Sequence, residues 1–424
     1  MSRAAEAGDD VSVGLGVFRW LGGMTNRAAS LGRRASGAVT STFVNAGGSL
    51  VLQVVAARSL GAAGYGTFVI FTNILVLTTA VHTGWTGDSL TVLDRFDPRV
   101  RGGLVQSQLL FVGAGFLLAT GLTLVLGLGD LGTGLVFAAM VALWLTEETG
   151  RRLLMARLQF WQLVLNDSIY VVTCLGALAA IRWTAGSLSI ASFITAMAVG
   201  AVVAVAAALV QLPRSELTWA RPNRGGLAEV ARFAGWRSAQ TGLRPLAALV
   251  MRVLVSLLST RAALGRIEAA RLLIAPALTF LAGFSSFLLP LYSEDERERQ
   301  GRRTLSVKAG MLALFSISLG YGAVAVVFSG PLSRLLTAGS FSVSRVAVAG
   351  WVVFAAAFAL GLPPANALVA RRRSREVFRM RVVDSLVGLG LVVAVLLLGS
   401  PTLVPWAFSV GALLGVWLVA RLAR

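Results

Sequence analysis

The sequence predicts an all-α polytopic membrane protein of about twelve transmembrane helices arranged as two pseudo-symmetric six-helix bundles. Three observations predict it. Of the 424 residues, 56% are hydrophobic and only 13% charged, with a mean hydropathy of +0.78, where an average soluble domain carries about 25% charged residues. Apolar runs of about twenty residues, the length a helix needs to cross ~30 Å of hydrocarbon, recur along the chain. Arginine gathers in every second connection between those runs, the bias that orients membrane proteins with their basic loops inside.

Residues 1–35 read as a cytoplasmic arm. Its opening, MSRAAEAGDDVSVGLGVFRWLGG, is acidic at the start and too short in its apolar part for a cleaved signal peptide; the segment around Val17, Phe18, Trp20 and Leu21 either lies flat in the interface or is disordered. An N-terminal bundle is expected over 36–212, with spans near 38–58, 64–86, 104–127, 131–150, 160–181 and 188–212. The longest central polar break, LPRSELTWARPNRGG, supplies a cytoplasmic linker at 213–228. A C-terminal bundle over 229–424 follows, with spans near 231–258, 263–291, 306–329, 346–369, 381–399 and 403–420. The first span ends RSLGAAGYGTF and the seventh ends LLSTRAALGRI, which puts Gly66 and Gly265 in corresponding places, and repeated halves are a common transporter plan.

The inner connections are the arm with Arg27, Arg33 and Arg34, then DRFDPRVR, TGRRLLMAR, PRSELTWARPNRGG, SEDERERQGRR, ARRRSREVFRMR and the final RLAR. The outer ones hold single arginines such as Arg58, Arg182, Arg261, Arg334 and Arg345. Both termini are therefore expected in the cytoplasm, and most of the net +19 charge is topology, with attraction to anionic lipid headgroups as a by-product. Nucleic acid is not an expected partner. Cys174 is the single cysteine and His82 the single histidine, so neither an intrachain disulfide nor a thiol cluster nor a paired-histidine site is available, and no cofactor or metal is predicted.

Two function classes suit so much membrane and so little loop: a transporter with a cavity between bundles, or a membrane-embedded enzyme acting on lipid-linked sugars. The enzyme needs general bases or metal-holding carboxylates at a membrane face. The acids on offer are poor candidates, since Asp94 and Asp97 in LDRFDPR and the run EDERER sit among arginines as self-paired loops.

The seventh span carries the most unusual chemistry. In GWRSAQTGLRP, Arg237, Gln240, Thr241 and Arg244 stand at i, i+3, i+4 and i+7 and form one polar stripe, with Arg252 beside it. An arginine at the centre of a span costs roughly 2.5–3.5 kcal/mol on insertion scales. These side chains therefore either pair with the acids inside the spans, among them Asp167, Glu268 and Asp384, or snorkel, or meet a ligand. With Arg266 and Arg271 the seventh and eighth spans hold an excess of guanidinium, whose forked donors match phosphate. His82, Asp167, Glu268 and Asp384 are the candidates for proton or ion coupling.

The eighth span, EAARLLIAPALTFLAGFSSFLLP, resembles that of the multidrug/oligosaccharidyl-lipid/polysaccharide (MOP) exporters, in which an arginine is followed by a proline five residues on and Leu-Pro ends the helix; Arg271, Pro276, Leu289 and Pro290 match. The first hairpin, ARSLGAAGYGTFVIF, is similar to the Leu-Gly-x-x-x-Tyr-Gly signature of the polysaccharide flippases, as is RRLLMARLQFWQLVLNDSIY. The resemblance implies a flippase that moves an undecaprenyl-diphosphate-linked oligosaccharide between leaflets of a bacterial inner membrane by alternating access. It implies a cavity role for Arg271, a lipid-linked anionic glycan and membrane lipids as partners, and polysaccharide polymerase or glycosyltransferase machinery alongside. Where the lipid II branch has paired arginines near the end of its second span, this chain has Thr78 and Thr79, and it has twelve expected spans where that branch usually has fourteen. Both differences favour the polysaccharide branch; an inactive relative serving as a scaffold is the other reading.

Overall fold

A computed structural model describes residues 7–217, 220–297, 307–371 and 373–423; the first six residues of the arm and most of the EDERER connection lie outside them. The described residues are helical, and eleven of the helices are long and apolar enough to cross a membrane. The first of these accounts for two spans. Its apolar part, Ser36–Val92, has 57 residues, about 85 Å at 1.5 Å per residue, more than twice the hydrocarbon thickness. It lies mainly in helix α1 (Ala7–His82), which turns back at Gly61, where φ is 65° and ψ 178°. That conformation is essentially restricted to glycine, so the Leu-Gly of the hairpin signature is the turn itself. A wide helical turn, Thr83–Gly87, and a short α2 (Asp88–Val92) finish the second span.

The remaining spans are α3 (Pro98–Val125), α4 (Leu131–Ala156), α5 (Phe160–Ala185) and α6 (Ile190–Gln211), then α8 (Arg224–Leu258), α9 (Arg261–Arg297), α10 (Val307–Val327), α12 (Arg345–Ala370), α13 (Ser374–Leu397) and α14 (Val404–Ala423). Two short helices lie between spans: α7 (Arg214–Leu217) in the central linker and α11 (Ser329–Thr337). Caps mark the boundaries. Asp97 and Asp130 accept backbone N–H groups at the starts of α3 and α4, Ser189 and Ser192 form a capping box on α6, and Asn223 accepts from Gly226 at the start of α8.

The same neighbours recur in both halves. In the first, α1 packs on α5, α5 on α6, α6 on α4 and α4 on α3. In the second, α8 packs on α13, α13 on α14, α14 on α12 and α12 on α10. Large apolar side chains such as Leu117, Val172, Trp183 and Leu397 stay exposed on the outside, the surface that lipid would cover.

The two bundles meet chiefly through α1 and α3 against α8 and α9. At the arginine-poor face the second span crosses α9 so closely that a Cβ on Gly66 would collide with the Arg261 carbonyl, and one on Gly265 with that of Ala62. The two glycines that correspond in the repeat are thus each other's contact. Arg58 donates to the Leu335 carbonyl of α11, and Arg261 to the carbonyls of Leu126 and Gly127, tying the halves together at the same face. At the arginine-rich face the linker is pinned to the first bundle: Glu216 bridges Arg95 at 3.0 Å and Arg157 at 3.1 Å, and Arg101 donates to the Ser215 carbonyl. Burial raises the Glu216 pKa, but the hydrogen bonds and charges of the two arginines outweigh it and hold the carboxyl below its ordinary range.

Two outcomes follow. Gly265→Val should lower the thermal midpoint measured in detergent, because the backbone crossing leaves no room for a side chain; an unchanged midpoint would mean that the two spans do not meet this way. Because the folded-state pKa of Glu216 is depressed, its contribution is present above the unfolded value and lost as pH falls through the lower folded one. Acid unfolding of Glu216→Gln, followed by tryptophan fluorescence, should accordingly show less pH dependence than wild type in the range at and below the ordinary carboxylate pKa.

Candidate functional site

The polar stripe of α8 is distributed over different depths and partners. At 1.5 Å per residue from Leu258, Arg252 lies about 9 Å, Arg244 about 21 Å and Arg237 about 31 Å along the helix. Arg237 therefore reaches the arginine-rich boundary, where it pairs with Asp88 at 2.8 Å and donates to Gln240; its side chain is 47% exposed. Thr241 donates to the Ala80 carbonyl and Ser238 to that of Val81, just ahead of the wide turn at Thr83–Gly87. Gly84 admits this contact, since its Cβ would sit 2.7 Å from the Ser238 Cα. Arg237, Ser238 and Thr241 thus join α8 to the first bundle, while Gln240 accepts from Arg237 on the same helix.

Arg252 and Arg271 meet at the other end. Both hold Glu268, at 3.0 Å and 2.6 Å, and the carboxylate is fully buried. Arg271 also donates to Gln53 on the first span, and Tyr65 lies within electrostatic reach with its hydroxyl unpartnered. Two guanidiniums share one carboxylate here, so the triad carries one excess positive charge across the bundle interface.

Arg244 differs from all of these. Among the described residues it has no hydrogen-bond or ion-pair partner; its guanidinium carbon lies 4.6 Å from the centroid of the Phe358 ring on α12, a cation–π contact. Arg381 and Asp384 of α13, paired at 3.1 Å, lie within electrostatic reach. The arrangement again leaves one positive charge in excess.

The first bundle contains a cluster of the opposite balance. Arg151 contacts Glu147, Glu148 and Asp167 at 3.7, 2.6 and 2.7 Å; Arg152 holds Glu148 at 2.6 Å; Ser41 donates to Asp167 and Asn166 to Glu147. Three carboxylates face two guanidiniums, and one oxygen of Glu147 has no partner. The sequence reading places Arg151 and Arg152 in an inner loop. The structure corrects this: both belong to α4, drawn into it by Glu147 and Glu148 one turn earlier and Asp167 on the adjacent helix. His82 is fully buried beside this cluster, its Nε2 2.7 Å from Gln108, which also accepts from Thr149. Thr79 accepts from Trp144 and Thr78 bonds its own helix. No group of three or more histidine, cysteine, aspartate or glutamate side chains among the described residues can hold a metal ion.

No protein-family model matches this chain, and no curated protein matches its sequence. Solved structures match it throughout. The lipid II flippase MurJ in an inward closed conformation superposes with a TM-score of 0.74, covering 92% of this chain and 86% of that one at 12% identity. A multidrug resistance MATE family transporter of the MOP superfamily in an inward-facing conformation gives 0.71, over 90% of this chain and 94% of that one at 13% identity. The chain has the MOP transporter fold. An outward-facing MATE transporter gives 0.59 at 13% identity over 92% of this chain and 93% of that one. Arg244 and the Glu268 triad thus sit within the MOP fold, on the second bundle and at its interface with the first.

Removing the shared carboxylate by Glu268→Ala leaves Arg252 and Arg271 buried without a counter-charge, so the expected loss of stability is about 3–5 kcal/mol. Asp88→Ala, which frees the half-exposed Arg237, should cost less than about 1 kcal/mol. Thermal unfolding in detergent compares the two, and equal losses would show that the triad is not the stronger tie.

Proposed function

We propose that this MOP-fold chain is a flippase that carries an oligosaccharide linked to a polyprenyl diphosphate from the inner to the outer leaflet of a bacterial plasma membrane, by alternating access, with both termini in the cytoplasm. The observation that carries the reading is Arg244. A guanidinium about 21 Å into a span, without a carboxylate of its own and beside the Arg381–Asp384 pair, is expensive in the empty protein, and an anionic ligand removes that cost. A phosphate does so with two hydrogen bonds to the forked donors. Phe358, on which the guanidinium lies, supplies an apolar wall suited to a sugar or prenyl face.

The remaining site residues enter the proposal in graded roles. Arg271 keeps 21% of its side chain open while paired to Glu268 and is the cation the phosphates would meet nearer the outer leaflet. Arg237, Gln240, Thr241 and Arg252 shape the two ends of the path. Asp167, Glu268, Asp384 and His82 are the groups on which a returning proton could act. The inside-negative potential drives an anion outward at about 2.3 kcal/mol per charge per 100 mV, in the direction proposed. The similarity in fold to the lipid II flippase MurJ supports the same class of substrate.

Reconstituted into vesicles, Arg244→Ala should reduce flipping of a polyprenyl-diphosphate sugar at least about tenfold with little change in thermal midpoint, since no protein partner is orphaned. Arg244→Lys should recover only part, because lysine retains the charge and loses the fork. Full flipping per folded molecule in Arg244→Ala would discard the reading.

A further inference from the structure

The surroundings of Arg244 contain a second cation and a single acid, and their packing assigns them a joint task. Arg381 and Asp384 stand one turn apart on α13, Nη1 to Oδ2 at 3.1 Å, with side chains 15% and 9% exposed. Resting on the flippase reading above, we infer that Arg381 is the second guanidinium of the phosphate clamp headed by Arg244, and that Asp384 is the clamp's built-in counter-anion, which takes up a proton when a diphosphate enters.

The groups facing Asp384 can be stated helix by helix. Its own helix brings Arg381 and Ser385, whose hydroxyl donates to Oδ1 at 3.2 Å. α8 brings Arg244. α14 brings two glycines and no charge: a Cβ on Gly415 would collide with the Asp384 carboxylate, and one on Gly411 would lie 2.5 Å from its carbonyl oxygen. α12 brings Phe358 against Arg244 and Gly361, whose Cβ would lie 3.8 Å from Nη2 of Arg381. The acid is therefore held by close backbone packing on one side and by Arg381 on the other, with Arg244 within electrostatic reach, and it has little room to swing away when another anion arrives.

Charge then decides the protonation. Two guanidiniums and one carboxylate leave +1 in the empty clamp. A diphosphate diester carries one negative charge on each phosphate, so with Asp384 ionised the filled clamp holds −1, and with Asp384 protonated it is neutral. In a site of low dielectric the neutral combination is favoured, and the proton comes from the aqueous side to which the clamp is open. Linkage makes the effect reciprocal: lower pH tightens diphosphate binding, and re-ionisation of Asp384 weakens it. A clamp of two arginines without this acid would hold phosphate in a deeper well and release it slowly. The carboxylate thus sets the balance between capture and release, which every transport cycle needs.

The test uses the full chain in nanodiscs and a water-soluble citronellyl-diphosphate sugar, a diphosphate diester, followed by calorimetry in buffers of different ionisation enthalpy. Wild type should take up about one proton per ligand bound, with affinity rising up to about tenfold per unit fall in pH over the titrating range. Asp384→Asn, which keeps the shape and the Ser385 contact, should bind more tightly than wild type at neutral pH, with no proton uptake and no pH dependence. Arg381→Gln should weaken binding at least tenfold. The inference is overturned if wild type binds without proton uptake, a result that does not depend on any variant folding. It is also overturned if folded Asp384→Asn keeps the uptake, or if folded Arg381→Gln binds as wild type. If Arg244→Ala loses the ligand while the two α13 variants match wild type, the flippase reading survives and this inference alone fails. No binding by wild type would overturn both.

Discussion

A guanidinium at membrane depth must have its charge answered from within the protein, and the organisation of this chain depends on how it meets that constraint. Neither lipid nor an apolar helix face supplies acceptors. Arg151 is answered by Glu147, Glu148 and Asp167, and Arg152 by Glu148; Arg252 and Arg271 share Glu268; Arg381 has Asp384; Arg237 reaches the boundary and takes Asp88. These pairs are also what ties helices together. Asp167 joins α5 to α4 and the first span, and Glu268 joins α9 to α8 and, through Arg271 and Gln53, to the other bundle. Arg244 stands outside this arrangement with only an aromatic face beneath it, and that exception is where we propose that a ligand binds.

The charge balance differs between the halves although their packing repeats. The first bundle buries three carboxylates against two guanidiniums, while the second buries two guanidiniums against one carboxylate at α8 and α13, with a further such triad at the interface. A duplicated scaffold thus carries a buried cluster with an excess of carboxylates in one half and buried clusters with an excess of guanidiniums in the other. The glycine crossing at Gly66 and Gly265 lies at the arginine-poor end of the same interface. Opening that end requires two backbones in direct contact to part, a discrete event rather than a gradual one, because packed interfaces do not stretch continuously.

Much of this was legible in the order of residues. The apolar runs of about twenty residues and the arginine asymmetry determine a polytopic helical bundle, since hydrocarbon thickness sets the length of a span and loop charge sets its direction. The Leu-Gly-x-x-x-Tyr-Gly hairpin determines its own turn, because only glycine takes the backbone angles found at Gly61. The polar stripe of α8 follows from the helical period alone. Which arginine is free does not. Arg237, Arg244 and Arg252 are equivalent as sequence, yet Asp88 lies 149 residues from the first and Glu268 on a neighbouring helix from the last, and only the packing of α1, α8 and α9 brings those acids into place. Arg381 reads as one more basic residue of a connecting loop until α13 carries it beside Arg244, and Arg151 and Arg152 likewise until α4 and α5 pack together. Period and composition act along the chain and determine the helices; charge neutralisation acts through space over a few ångströms, so only the tertiary structure decides which charges are paired within the fold and which are left unpaired.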